Sequence, residues 1–183
     1  NPILAALQRP ETNVEQLPTT YFANGGIYRV STRPPDRPRV YALGFWGTDG
    51  IVVLNNEPEH FFELASNSGL SFRSSGDYAA YVTAFFDVTR DFTGGIQILN
   101  SIQESWWLPS PSTEEARKKD EVIAKYANIV EGPKMKVGSQ STVTVFVIRD
   151  RALLRVNAEV ETNGRIRFSE EVMEPEMPTV MLR

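Results

Sequence analysis

The 183-residue sequence contains no cysteine, which excludes disulfides, thiolate metal or iron–sulfur centres, and a cysteine nucleophile. It contains one histidine, His60, which excludes a multi-histidine metal site and leaves any Ser-His-Asp triad a single candidate base. Positive charge is not in excess: 19 Lys and Arg stand against 23 Asp and Glu, a net charge of −4. General nucleic-acid binding therefore has no electrostatic support. No apolar run approaches the ~20 residues that span a bilayer. The longest candidate, Thr142 to Leu154, is cut by Arg149, Asp150 and Arg151.

Signature motifs are missing as well. There is no G-x-x-x-x-G-K-[ST] phosphate loop, no G-x-S-x-G nucleophile elbow and no H-E-x-x-H. Gly25-Gly26 and Gly94-Gly95 lack the further spacing of a G-x-G-x-x-G fingerprint. No RNA-binding signature with paired strand aromatics is present. Nothing in the sequence calls for a cofactor or a metal. The chain begins at Asn1 rather than Met, which points to a trimmed or processed product, either cytoplasmic or exported after removal of an N-terminal segment.

What is present fits an ordinary soluble globular protein, with 41% apolar and 23% charged residues. A chain of this length buries roughly 70% of the surface its unfolded form exposes, enough for a core without staples. One domain over residues 1–183 is expected, with residues 1–20 as a loosely attached segment. Within that segment Ile3, Leu4 and Leu7 make one helical turn, and Pro10 ends it.

The patterning then alternates between strand and helix signals. Ile27 to Thr32, Arg39 to Trp46 and Ile51 to Leu54 read as strands. A stiff Arg33–Pro38 loop separates the first two, and Gly47-Thr48-Asp49-Gly50 separates the others with a hairpin signal. A helix follows, capped by Asn55-Asn56, with Pro58 in its first turn and Phe61, Phe62, Leu64 and Ala65 on one side. Gly69 closes it. A second helix, capped by Ser75 or Asp77, carries Tyr78, Tyr81, Val82, Phe85 and Phe86 at helical spacing. Ile96 to Ile102 reads equally well as strand or helix. The third helix has a capping box in Ser112 and Glu115, a stripe of Val122, Ile123, Tyr126 and Ile129, and a stop at Gly132-Pro133.

The C-terminal third is a β-meander whose register is derivable. Val143, Val145 and Val147 alternate with Thr142, Thr144 and Phe146, and Asp150-Arg151 makes a tight turn. Leu154, Val156, Ala158 and Val160 alternate with Arg155, Asn157, Glu159 and Glu161. A two-residue turn at Asn163-Gly164 would pair Val160 with Arg167 and mix the faces. A three-residue turn pairs Val160 with Ile166, Ala158 with Phe168 and Glu159 with Arg167, with Gly164 left-handed. The fold class is therefore α+β: antiparallel sheets with about three helices and a C-terminal meander.

Few residues stand out for chemistry. His60 lies among Glu57 and Glu59, but these positions do not share a helical face, so capping explains them better than a metal. Asp87 and Asp91 are four apart beside Arg90, a spacing that suits two acid–base carboxylates or a solvated helix face. Trp106-Trp107 precedes a proline loop; one ring is expected in the core and the other against a ligand or partner. Arg37 and Arg39 have the fork geometry for an acidic group. The favoured reading is a non-catalytic module that binds a partner protein or a small ligand through Trp106, Trp107, Arg37 and Arg39. The alternative is a small carboxylate-based enzyme using His60, Asp87 and Asp91, with its pocket near the second helix. A homodimer built by edge-strand pairing or by the acidic, amphiphilic tail is compatible with either.

Overall fold

β-branched alternation and well-placed turn residues set two antiparallel sheets in the computed structural model, which describes residues 8–32, 39–89 and 95–180. Its contacts divide into two compact units, one of residues 1–73, 88–92 and 162–165, the other of residues 74–87, 93–161 and 166–183.

The first unit holds a four-stranded sheet in the order β1 (Asn13–Leu17), β2 (Gly25–Thr32), β3 (Arg39–Trp46), β4 (Gly50–Val53). β1 carries no clear alternation in its sequence (Asn-Val-Glu-Gln-Leu), yet it pairs with β2 from Asn13 opposite Ser31 to Leu17 opposite Ile27. Helix α1 (Pro58–Asn67) buries Phe61, Phe62, Leu64 and Ala65, the four residues expected. It packs close to the sheet because Gly44 makes room: a Cβ there would stand 2.8 Å from Leu64 Cδ2. The opposite face of the sheet gathers Val30, Tyr41 and Leu43, with Phe45 and Val53 beside them.

The expected asparagine cap does not form. Glu57 holds the N-cap position without a side-chain bond. Asn55 is engaged elsewhere: its Oδ1 accepts the Ala42 N–H at 2.6 Å and its Nδ2 donates to the Val40 carbonyl. It satisfies β3 where that strand has lost its pairing partner, a stronger demand than a helix end in water.

The second unit begins with helix α2 (Ser75–Thr89), most of which belongs to it. Its cap is Ser74, one residue before the expected position. The Asp77 N–H donates to Ser74 Oγ at 3.2 Å, and the Ser74 N–H donates to Asp77 Oδ2 at 3.0 Å, a reciprocal box. The sheet runs in the order β5 (Gln97–Leu99), β7 (Thr142–Arg149), β8 (Ala152–Val160), β9 (Ile166–Glu174), and β6 (Lys134–Met135) also pairs with β7. Thus the ambiguous segment 96–102 is a short strand, followed by a 3-10 turn over Ile102–Glu104.

Helix α3 (Thr113–Tyr126) forms the capping box of Ser112 and Glu115. It covers one face of the sheet, where Val122, Tyr126, Leu99, Phe146, Ile148, Leu153 and Met177 form a single cluster. Ile129 does not extend the helical stripe and is exposed. The helix stops at Tyr126, the chain leaves helical phase, and Val130 takes the buried place. The other sheet face carries Val143, Val145, Val147, Val156 and Ala158, all buried. There the Phe85 and Phe86 rings of α2 meet Phe168 at 5.4 and 5.3 Å. β7 is buried on both faces, which its run Val-Phe-Val-Ile already favours.

The derived register holds. Val160 faces Ile166, Ala158 faces Phe168 and Glu159 faces Arg167, with Gly164 at φ +84°. The charges settle diagonally rather than straight across: Arg167 bonds Glu161 at 2.5 Å, while Arg165 reaches Glu59 at 2.8 Å. No helix follows this hairpin among the described residues, unlike the hairpin before α1.

Candidate functional site

The two adjacent tryptophans part company. Trp107 is half-buried against the α3 cluster, with the Lys119 ammonium 5.7 Å above its ring. Trp106 stays 39% exposed.

The backbone around Trp106 is held on two sides. Gln97, buried on β5, accepts the Trp106 N–H on its Oε1 at 3.0 Å and donates its Nε2 to the Glu104 carbonyl at 2.6 Å. One amide thereby fixes the loop that follows the 3-10 turn. On the other side the C-terminal segment runs antiparallel to the tryptophans. The Val180 N–H donates to the Trp106 carbonyl at 2.7 Å and the Leu108 N–H to the Pro178 carbonyl at 3.0 Å. Trp107 and Thr179 then face one another as a single β-bridge.

That segment is anchored in turn. Met177 is fully buried in the α3 cluster. Its N–H donates to the Arg151 carbonyl at 2.7 Å, and its own carbonyl accepts Arg151 Nε at 3.1 Å. Asp150 and Arg151 form the two-residue turn between β7 and β8, both with positive φ, +52° and +65°. Glycine would suit the second position better. Arginine is kept there with its side chain tied to the tail.

These elements enclose a small cavity of about 20 Å³, lined by Gln97, Trp106, Ile148, Asp150, Arg151, Thr179 and Val180. Trp106 and the 38% exposed Val180 bring apolar surface to its rim, beside the exposed Asp150 and Arg151. Thr179 is only 2% exposed, and its hydroxyl has no hydrogen-bond partner among the described residues. The Trp107 indole N–H is buried and unpartnered as well.

The other sequence candidates are not gathered here. His60 sits half-buried on α1 in the first unit, its Nδ1 at 2.7 Å from the Val53 carbonyl. A carbonyl only accepts, so Nδ1 carries the hydrogen and the imidazole is fixed to β4. Asp87 is half-buried on α2, in the second unit. Asp91 and Arg37 lie outside the described residues. Arg39 opens β3 opposite Thr32, and its side chain lies outside them too. Among the described residues no three His, Asp or Glu side chains are placed to hold a metal ion, and no helix is long and apolar enough to cross a membrane.

A more open cavity of about 340 Å³ lies in the first unit beside Glu59, Phe62 and Arg165. There the Arg165 guanidinium forks onto Glu59 and stacks 5.4 Å above Phe62. Its two facing charges, Arg165 and Glu59, already bond one another.

Sequence reasoning missed Glu174. It is 7% exposed and receives Lys118 Nζ, Lys125 Nζ at 3.1 Å and the Tyr126 hydroxyl at 3.3 Å. Burial pushes its carboxyl up, but the bonds from Lys118 and Lys125 outweigh that and hold it below the usual carboxylate range. The signal was available: Lys118, Val122 and Lys125 share one helical face, so two cations flank an apolar residue bound for the core.

No family profile, no curated protein and no solved structure matches this chain.

Proposed function

We propose that the chain is a non-catalytic binding module whose anchor is Trp106. It takes an apolar group, presented by a partner protein or a small ligand, on the rim that Trp106 forms with Val180. The observation that carries this is an exposed indole on a backbone fixed from both sides, by Gln97 and by Val180. Large aromatic side chains supply most of the energy where proteins bind, and a held backbone lowers the entropy lost on binding. The cavity beside the rim is too small to engulf a ligand, which typically needs roughly 300–1,000 Å³. The ligand body therefore lies across the rim.

The test is a fragment screen by protein-observed NMR, following backbone amides and the three indole N–H signals. Apolar and aromatic fragments are expected to shift Trp106, Thr179 and Val180 together, and Trp106→Ala to abolish the effect. Shifts clustered elsewhere, or none at all, would sink the proposal.

A further inference from the structure

Resting on the reading of Trp106 as an anchor, we infer that the cavity beside it receives a carboxylate, carried by an apolar ligand whose body lies on Trp106 and Val180. Two donors line the cavity. Arg151 commits only its Nε, to the Met177 carbonyl, so among the described residues its terminal nitrogens have no bond. A guanidinium offers those nitrogens in the fork that matches a carboxylate. Thr179 adds a hydroxyl that is buried and unpartnered. Leaving such a group unmade is costly, and an acceptor entering the cavity satisfies it.

Size narrows the class. About 20 Å³ is the room of one or two water-sized groups. The two oxygens of a carboxylate fit, while the chain or ring bearing them does not. Gln97 already makes one bond at each end of its amide, so Arg151 and Thr179 are the donors with capacity to spare.

Two acidic groups stand close by. Asp150 lines the cavity, and the guanidinium of its neighbour Arg149 forks onto Glu170. Glu115 feels Arg151, but it accepts the Ser112 N–H at 2.8 Å.

The bearer of the carboxylate is either a free apolar acid or the C-terminus of a peptide. The full chain is titrated with 4-phenylbutyrate, with 4-phenylbutyramide, with acetyl-Ala-Ala-Phe, and with the C-terminal amide of that peptide. Binding is read from the Trp106 indole signal. Each acid is expected to bind about tenfold tighter than its amide, the margin of a charge-assisted pair. Thr179→Val and Arg151→Lys are expected to erase the margin without weakening the amides. A tighter free acid identifies a small-molecule source, and a tighter peptide identifies a chain terminus. Equal binding of acids and amides at Trp106 overturns the carboxylate and leaves the apolar anchor standing. Silence from all four probes overturns the carboxylate; if apolar fragments are silent too, the anchor falls with it.

Discussion

Thr179 sets a sharp test at the level of one atom. A buried hydroxyl that bonds to protein costs stability when removed, whereas one without a partner does not. Thr179→Val keeps the shape and deletes the hydroxyl. Its melting temperature is expected to equal or exceed that of the parent, and calorimetry at neutral pH checks this; a drop of several degrees would mean the hydroxyl is bonded within the fold. Gly164 makes the opposite demand. At φ +84° it sits where a side chain costs about 1–2 kcal/mol. Gly164→Ala is expected to lower stability by that amount in denaturant unfolding, with the slope unchanged. Asn55 shows why single residues resist reading from sequence. Asn-Asn before Pro is a sound helix-start signal, yet the side chain serves β3 instead. The competing donor and acceptor come from 13 and 15 residues away, and no local pattern reveals them.

Among the elements, the joint between α3 and β9 depends most on pH. Glu174 is held below its ordinary value, so its contribution is complete above the unfolded pKa of about 4.3 and is lost as pH falls through the folded value. Glu115 adds in the same direction through its bonds from Ser112. Lys125 is shifted up, by its bond to Tyr126 and then by Glu174, so its share is lost only at the alkaline end. Glu174→Gln is expected to cost about 1–2 kcal/mol at pH 7, less than a fully buried pair because both lysines remain partly exposed. Melting temperatures taken from pH 7 to pH 3 should fall less steeply for the variant; parallel curves would mean Glu174 is not the titrating group. Elements were also where the sequence was most legible. The hairpin at Gly164 followed from charge and alternation alone, because a one-residue slip would have exposed an entire apolar face. β1 was illegible for the converse reason: its side chains are almost all exposed, so no alternation was needed. The cavity at Trp106 was half legible. Two adjacent tryptophans forecast one buried and one exposed ring, but Thr179 and Arg151 join it through contacts 73 and 45 residues distant in sequence.

At the scale of the molecule, the chain passes repeatedly between its two units. α2 ends in the first while most of it belongs to the second, and the β8–β9 hairpin has its tip in the first and its strands in the second. Elements shared in this way cannot melt by halves without breaking their own hydrogen bonds. Unfolding is therefore expected to be one transition. Trp46 reports on the first unit, and Trp106 and Trp107 on the second. Trp46→Phe and the double variant Trp106→Phe/Trp107→Phe should show coincident fluorescence midpoints; separated midpoints would make the units independent.

The ion pairs on β9 also bear on colloidal behaviour. This strand ends its sheet, with no further strand on its outer side among the described residues. Its acidic residues are spent inward, Glu170 on Arg149 and Glu171 on Arg155, while Val172 stays 60% exposed. The molecule carries a net charge of −4, yet this border contributes little of the repulsion that keeps copies apart. As pH approaches the isoelectric point near 5.2, the global charge fades and the border is left as the least guarded place. Light scattering at that pH should show association that Val172→Lys suppresses.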